Sequence, residues 1–315
     1  MPSITFSELL TIIYVLVDDW YQMHGIKFLN GKAGRKPIFS DSEVMTLMMA
    51  HDFLPFPSET QYVEYIRANY LDMFPKLLSQ SQFNRRSRSL HLLVEEFRRF
   101  WLAKKGVLAQ SSFLLDTKPI PVVGYRRSKS RSEFAGNADY GFCASRNMKY
   151  YGYKLVLVST LNGVPVVYEL VPANTDERLA AEATIDHFNS CDIFADKGFI
   201  GLEWQTQIFE QTNNRIWTPK RKNQHHQNHK SLDRWLSGVR ERIEGVFHEL
   251  QNTGRNIERF LSKTVVGLCT RVIAKIASHF LRHILLVDYG VNVQTFRFSS
   301  TLSKLKGTTG TKIAT

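Results

Sequence analysis

Three acidic residues lie where the chain could carry out metal-dependent chemistry. Asp116 follows a short apolar run, 111–115, Asp196 follows a second one, 193–195, and Glu244 lies in a segment with helical periodicity. Two unit charges 4 Å apart repel by roughly 4 kcal/mol at an effective dielectric of about 20, so three clustered acids need a cation. Because Mg²⁺ prefers oxygen ligands such as carboxylates, these residues predict a divalent-metal site.

A site of this kind predicts phosphoryl transfer. Two metal ions roughly 4 Å apart can activate the attacking oxygen and stabilise the leaving oxygen of an in-line displacement, and no side-chain nucleophile is needed. The sequence contains neither a G-x-S-x-G elbow nor a G-x-x-x-x-G-K-[ST] loop. Their absence argues against an acyl hydrolase and against a P-loop ATPase.

Each acid has a rival nearby in the sequence. Asp192 begins the strand that Asp196 ends, but the position before Lys-Gly favours Asp196. Glu241 and Glu249 share the predicted helix with Glu244, and Glu241 lies about one turn away on a nearby face. We prefer Glu244 because it lies beside the apolar row that faces the core.

The elements that must position these acids fall into a helical part and a mixed part. Residues 1–105 read as helices, with capping boxes at 40–43 and 58–61 and a longer helix over 82–103. These helices can bind DNA or serve as a platform with a solvated basic face. Residues 106–290 predict a mixed α/β sheet flanked by helices, and 291–315 a flexible basic tail.

Within the mixed part, strand and helix signals give an order that would bring the acids together. Strands are predicted at 111–115, 151–159, 164–171, 193–195 and 215–219, and helices at 175–189, 202–210, 232–253 and 265–286. Pro119 and Pro121 predict a turn after the first strand. Adjacent parallel strands would place Asp116 beside Asp196, and a helix across that edge would add Glu244.

Composition favours a globular protein with a polyanionic partner. The 315 residues are 43% hydrophobic and 12% aromatic, and 41 basic against 29 acidic residues give a net charge of +12. Such an excess favours nucleic acid ahead of an acidic membrane. Three widely spaced cysteines without a C-x-x-C motif favour a reducing compartment. The apolar run 9–17 is too short for a membrane span, so we expect a soluble, cytoplasmic protein.

Basic residues in two polar segments, 124–148 and 220–230, are the candidate DNA contacts. They are Arg126, Arg127, Lys129, Arg131, Lys220, Arg221 and Lys222. Arg240 can contact phosphate or pair with Glu244, and Lys197 can contact phosphate or remain a solvated charge. The histidines of the second segment, at 225, 226 and 229, have no acidic or cysteine companions. They therefore favour phosphate contact or a solvated loop over a metal site.

At the three acids the chain resembles the DDE transposases of bacterial insertion sequences. The matching segments are Leu-Leu-Asp at Asp116, Ala-Asp-Lys-Gly-Phe at Asp196, and Arg-x-x-x-Glu-x-x-Phe at Glu244. The segments Gly-Tyr-Lys-Leu at 152–155 and Ala-Asn-Thr-Asp at 173–176 make it similar to the insertion sequence 982 family.

The resemblance implies a ribonuclease H-like catalytic domain with these three residues as its catalytic and metal-binding triad. It also implies two Mg²⁺ or Mn²⁺ ions, cleavage of double-stranded DNA at terminal inverted repeats, and strand transfer into target DNA. A homodimer or higher assembly would bring two transposon ends together, in the cytoplasm and associated with the nucleoid.

The sequence around Glu244 departs from the motif of a related branch, and two alternative functions remain open. Related transposases of another branch carry Tyr-x-x-Arg-x-x-x-Glu, with a Lys seven positions after the Glu. Here Ser237 and Gln251 replace the Tyr and the Lys, so DNA-end contacts cannot be carried over from that branch. The alternatives are a structure-specific nuclease on the same fold, which cuts without joining, and an inactive DNA-binding derivative.

Overall fold

The structure is a computed structural model, and it describes residues 4–29, 37–124, 132–220, 228–293 and 296. A mixed sheet with six strands in the described ranges lies at its centre. The strands are β1 (Ser112–Val123), β2 (Asp139–Cys143), β3 (Met148–Thr160), β4 (Pro165–Pro172), β5 (Asp192–Ala195) and β6 (Arg215–Trp217).

The pairing of the strands is antiparallel on one side of β1 and parallel on the other. β3 pairs antiparallel with β1 along one edge, while β2 and β4 share its other edge. β5 pairs parallel with β1, and β6 pairs parallel with β5. With β2 set aside, the order β4-β3-β1-β5-β6 is the ribonuclease H-like arrangement, which confirms the predicted fold class.

The first strand does not stop at the prolines, so the predicted turn is wrong. β1 continues through Pro119 and Pro121 and stays paired with β3. β5 ends opposite Leu115, which leaves that side of β1 open beyond this residue. On this side the N–H of Thr117 donates to the side chain of Asp116 and not to another strand. Every second residue of a strand directs its backbone nitrogen to the same side, so the nitrogens of Pro119 and Pro121 also face this side. The two prolines therefore lack N–H groups only on an edge without a neighbouring strand.

Eight α-helices in the described ranges surround the sheet. They are α1 (Phe6–Met23), α2 (Asp41–Ala50), α3 (Glu59–Asn69), α4 (Gln80–Lys104), α5 (Glu177–Ile185), α6 (Leu202–Thr212), α7 (Lys230–Asn252) and α8 (Val265–Tyr289). The predicted helices of the N-terminal region are present. Ser40 forms the expected capping box, whereas Ser58 caps α3 without a side-chain hydrogen bond. None of the described helices is long and apolar enough to span a membrane.

The N-terminal helices and the sheet share a buried boundary. Arg98 of α4, which is 1% exposed, donates to the carbonyl oxygens of Pro165 and Val166 at the start of β4, at 2.8 and 3.0 Å. α8 packs against α2 and α4 as well as against α7 and β4. It therefore joins the helical region to the sheet, which is a wider role than the sheet packing that its amphipathic pattern predicts.

Candidate active site

The two aspartates lie side by side on neighbouring strands. Leu115 of β1 pairs with Ala195 of β5, so Asp116 and Asp196 occupy the next positions along the two parallel chains. Neighbouring strands are about 4.8 Å apart, and residues in register point to the same face. The prediction that two parallel strands bring these acids together is therefore confirmed, although Asp116 lies within β1 and not at its end.

The carboxylate of Asp116 has few partners. Its Oδ1 accepts the backbone N–H of Thr117 at 2.7 Å, and it forms no ion pair within the described ranges. Burial raises the pKa of Asp116 to about 7, with the charges of Asp196 and Glu177 adding to the rise. The Thr117 N–H and Arg240 oppose this rise only in part. A negative charge at this position is therefore costly until a cation approaches it.

Helix α7 brings Glu244 to the same cleft. Val239, Ile243 and Phe247 of this helix are buried in one cluster with Leu114 of β1, which holds the helix across the sheet. Glu244 lies beside this apolar row on an exposed flank, where it lines the cleft together with the two aspartates. The sequence preference for Glu244 agrees with this placement.

Arg240 connects the second and third acids. Its Nη1 lies 3.2 Å from Asp196 Oδ1, and its Nε lies 3.0 Å from Glu244 Oε1, one turn further along α7. Of the two roles that the sequence leaves open for Arg240, the structure shows the pairing with Glu244. The guanidinium is 46% exposed, so it can still exchange these partners for a ligand.

The rival acids lie elsewhere. Asp192 is at the opposite end of β5, where it accepts the indole N–H of Trp217 at 2.8 Å. Glu241 is exposed and does not line the cleft. Glu249 lies 3.0 Å from His279 Nε2 and lines a different cavity.

The cleft has a volume of about 570 Å³ and contains more charged groups than the sequence reading identified. Its charged side chains are Asp116, Lys118, Arg146, Lys154, Glu177, Asp196, Arg240 and Glu244. Four of these are acidic and four are basic. Such a mixture suits a site that binds a cation and an anionic substrate together.

Glu177 is the acid that sequence reasoning missed. It lies in the first turn of α5, where its Oε1 accepts the Thr117 hydroxyl at 3.2 Å. Its other oxygen packs on Gly198, since a Cβ built on that glycine would lie 2.0 Å from Glu177 Oε2. The available signal was position: Glu177 directly follows the Ala-Asn-Thr-Asp segment that resembles the transposase family.

Lys118 and Lys154 were also missed, because Lys118 falls in the stretch that was predicted as a turn and Lys154 in a strand that otherwise reads as apolar. Lys118 is 6% exposed, and its Nζ lies 2.8 Å from Glu258 and 3.4 Å from the amide oxygen of Gln251. Lys154 donates to the carbonyl oxygen of Thr175 at 2.8 Å. Both ammonium groups border the cleft, and the available signal for Lys154 was its place in the Gly-Tyr-Lys-Leu segment that resembles the transposase family.

Most of the candidate DNA contacts lie outside the described residues. These are Arg126, Arg127, Lys129, Arg131, Arg221 and Lys222. Lys197 is exposed next to the second aspartate, and Lys220 is partly exposed after β6. His229, named among the possible metal ligands, instead caps α7 by accepting the N–H of Ser231 at 3.3 Å.

The donor set fits a hard divalent cation, although three ligands do not yet converge. Within the described ranges, no three acidic, histidine or cysteine side chains are close enough together to hold one ion. Asp116 and Asp196 nevertheless present oxygen donors side by side, and Asp116 has no compensating ion pair among the described residues. Oxygen-only donors next to a polar cleft suit Mg²⁺ or Mn²⁺ better than a softer metal.

The class of protein to which this fold and acidic cleft belong comes from a comparison with family models. The model of the transposase DDE domain matches residues 109–281, more than half of the chain. The chain belongs to this family of DDE transposases.

Two solved structures are similar to the chain at 14% identity. A pre-cleavage Mos1 transpososome matches over 89% of this chain and 87% of that one, with a TM-score of 0.22. A Mos1 transposase paired-end complex with the left transposon end matches over 89% and 88%, with a TM-score of 0.21. These TM-scores are too low to support a fold assignment, which therefore depends on the strand order. No curated protein sequence matches the chain.

Proposed function

We propose that this transposase cleaves double-stranded DNA at the terminal inverted repeats of a bacterial insertion sequence and transfers the strand ends. The insertion sequence 982 family is the group that its motifs resemble most. The observation that supports this proposal is the position of Asp116, Asp196 and Glu244 on one cleft of a ribonuclease H-like sheet. We propose residues 106–290 as the catalytic domain, 1–105 as a DNA-binding domain and 291–315 as a basic tail.

Asp116, Asp196 and Glu244 would hold the metal ions, two in number. When bound, Mg²⁺ or Mn²⁺ supplies activation of the attacking oxygen and stabilisation of the leaving one. The aspartates provide negative charge from two adjacent strands, so their spacing is fixed by the sheet. Asp196 and Glu244 would both exchange their Arg240 partner for the metal, and the released guanidinium is then free to contact a DNA phosphate.

The basic groups around the acids position the DNA. Lys154 is held by the carbonyl oxygen of Thr175, and Lys118 is held by Glu258, so both charges are fixed before substrate arrives. Fixed cations beside a phosphodiester lose little entropy on binding and orient the scissile phosphate against the acids. Each DNA phosphate that such a group neutralises should make the fall of log affinity with log salt concentration steeper by about 0.9.

The proposal is tested with DNA that carries the terminal sequences flanking the gene, incubated with Mg²⁺ and mapped for nicks to the nucleotide. Asp116→Asn, Asp196→Asn and Glu244→Gln should each lower cleavage roughly a thousandfold, which equals about 4 kcal/mol of transition-state stabilisation. DNA binding should remain within about threefold, because each variant removes a negative charge.

Asp192→Asn and Glu241→Gln are the matched controls, since they change the same residue types on the same strand and helix outside the cleft. Both should cleave like the wild type. Full cleavage by any of the three triad variants would remove that residue from the site.

The same assay separates the alternatives. A structure-specific nuclease would nick the ends but yield no products with a transposon 3′ end joined to target DNA. An inactive DNA-binding derivative would shift the DNA in a gel and produce no nicks with Mg²⁺ or Mn²⁺.

A further inference from the structure

A second cavity, of about 450 Å³, lies on the opposite flank of α7 from the acidic cleft. Its polar walls come from four parts of the chain: Asn162 in the β3–β4 turn, Arg242 and Glu249 of α7, His279, Arg282 and His283 of α8, and Asn292 after α8. At 3.6 residues per turn, positions 242, 245 and 249 lie about half a turn from 240, 244 and 251, so the two cavities are separate. Nothing in the proposed catalytic chemistry uses this second cavity.

Arg282 is buried at this cavity with donors left over. It is 8% exposed, its Nη2 donates to the backbone carbonyl of Asp52, and its guanidinium lies 4.4 Å from the centre of the Phe53 ring. Its Nε and Nη1 have no hydrogen-bond partner among the described residues. A guanidinium cannot lose its proton at neutral pH, and buried donors of a charged group are costly without an acceptor.

His279, which is 6% exposed, borders the same space. Its Nε2 lies 3.0 Å from a carboxylate oxygen of Glu249, and its Nδ1 has no hydrogen-bond partner in the described part of the chain. Burial lowers the pKa of His279, the Glu249 carboxylate opposes this shift in part, and the charges of Arg282 and Lys275 lower the pKa further. Among the described residues that line the cavity, two arginines, Arg242 and Arg282, stand against one carboxylate, Glu249, so the lining favours an anion.

We propose that this cavity binds a phosphate group through the free donors of Arg282 and the guanidinium of Arg242. The unpaired Nε–H and Nη1–H of Arg282 point in different directions from the planar guanidinium, so a phosphate oxygen accepts from one of them and Arg242 donates charge-assisted hydrogen bonds to another oxygen. Arg242 lies exposed at the rim, where one of its nitrogens donates to the Leu161 carbonyl at 3.0 Å. The phosphate can belong to free inorganic phosphate or to the DNA backbone, and the test distinguishes these sources.

Titration calorimetry of the full chain with inorganic phosphate, against chloride at equal ionic strength and without divalent metal, measures the site directly. Arg282→Lys keeps the charge and loses the directed N–H groups of the guanidinium, so it should weaken binding about tenfold. Arg242→Ala should weaken it by a similar factor. Arg234→Ala removes an exposed arginine of the same helix outside both cavities and should leave the affinity unchanged.

Three results would overturn the site. Phosphate could give no more heat than chloride, or it could bind both cavity variants as tightly as the wild type. It could also lose affinity in Lys154→Ala but not in Arg282→Lys, which would place the anion in the acidic cleft. If Arg282→Lys fails to fold, as judged by circular dichroism, Arg242→Ala against Arg234→Ala decides the question.

Labelled duplex DNA then identifies the source of the phosphate. If a backbone phosphodiester occupies the cavity, phosphate competes with DNA, and Arg242→Ala reduces the slope of log affinity against log salt by about 1. If free phosphate is the ligand, DNA affinity and its salt slope are the same in Arg242→Ala and Arg234→Ala. Either result retains the phosphate site established by calorimetry and assigns its occupant.

Discussion

At the scale of one residue, the fold raises the pKa of Asp116 and so disfavours its negative charge unless a cation compensates it. Burial raises its pKa to about 7 from the ordinary value of 3.8, so the folded protein holds this carboxyl in its protonated form to higher pH than the unfolded chain does. Below pH 3.8 both states are protonated and the residue costs nothing. As the pH rises from 3.8 to about 7 the charge lowers stability progressively, and above about 7 this penalty stays constant.

Asp116→Asn should therefore stabilise the metal-free protein at pH 8 by about 1 to 3 kcal/mol and have no effect near pH 3.5. Urea unfolding at the two pH values measures the difference. Mg²⁺ should reduce the gap at pH 8 by stabilising only the wild type. A variant less stable than the wild type at pH 8 would show that the carboxylate is already compensated without metal.

At position 198 the side chain of Glu177 leaves room for glycine alone. An added Cβ would lie 2.0 Å from Glu177 Oε2, so Gly198→Ala should displace that carboxylate and cost about 1 to 3 kcal/mol in urea unfolding. In a Glu177→Ala background the collision is absent, and the same substitution should cost less than about 0.5 kcal/mol. An equal cost in both backgrounds would assign the effect to the backbone of the 196–199 turn.

At the scale of elements, hydrophobic periodicity predicted nearly all the helices and strands around the site. The parallel pairing that joins the two aspartates followed from the order of elements along the chain. The length of β1 could not be predicted in this way, because its prolines are tolerated only where β5 has ended, and the end of β5 depends on the strand register. β2 was missed since Asp139–Cys143 is only a short segment within a stretch that reads as a polar loop, and it forms a strand by pairing with the start of β3.

Gly152 sets the approach of β1 to β3. It lies opposite Pro121, and a Cβ there would lie 2.2 Å from the backbone oxygen of Ile120, which cannot rotate away. Gly152→Ala should therefore cost more than about 2 kcal/mol in urea unfolding. Gly238→Ala on α7 is the matched control: with open space around it, alanine should stabilise the helix by about 0.5 to 1 kcal/mol. Similar values for the two variants would contradict the close strand contact.

At the scale of the whole molecule, a buried ionic cluster joins the N-terminal helices to α8 and to the segment that precedes it. Asp52, which is fully buried after α2, binds Arg255 through contacts of 3.1 and 2.6 Å and lies 3.6 Å from the ammonium of Lys275. The partners are more than 200 residues away in sequence. Nothing in the residues around Asp52 identifies them, so this contact was beyond prediction from sequence pattern.

Loss of the Asp52 charge should weaken the whole molecule. Asp52→Asn leaves the buried cations Arg255 and Lys275 uncompensated and should cost about 3 to 5 kcal/mol at pH 7 in urea unfolding. Asp288→Asn is the control, because its pair with Lys105 is partly exposed and should be worth less than about 1 kcal/mol.

The pH dependence of that loss provides an independent check. Burial alone would raise the pKa of Asp52, but Arg255 and Lys275 hold it well below its usual range. A group whose folded-state pKa is depressed contributes its full stability above its unfolded value of 3.8 and loses it as the pH falls further. The difference in unfolding free energy between wild type and Asp52→Asn should therefore be constant from pH 5 to 7 and shrink below pH 3.8. A difference that persists unchanged at pH 2.5 would show that the side chain acts through packing and hydrogen bonds, and not through its charge.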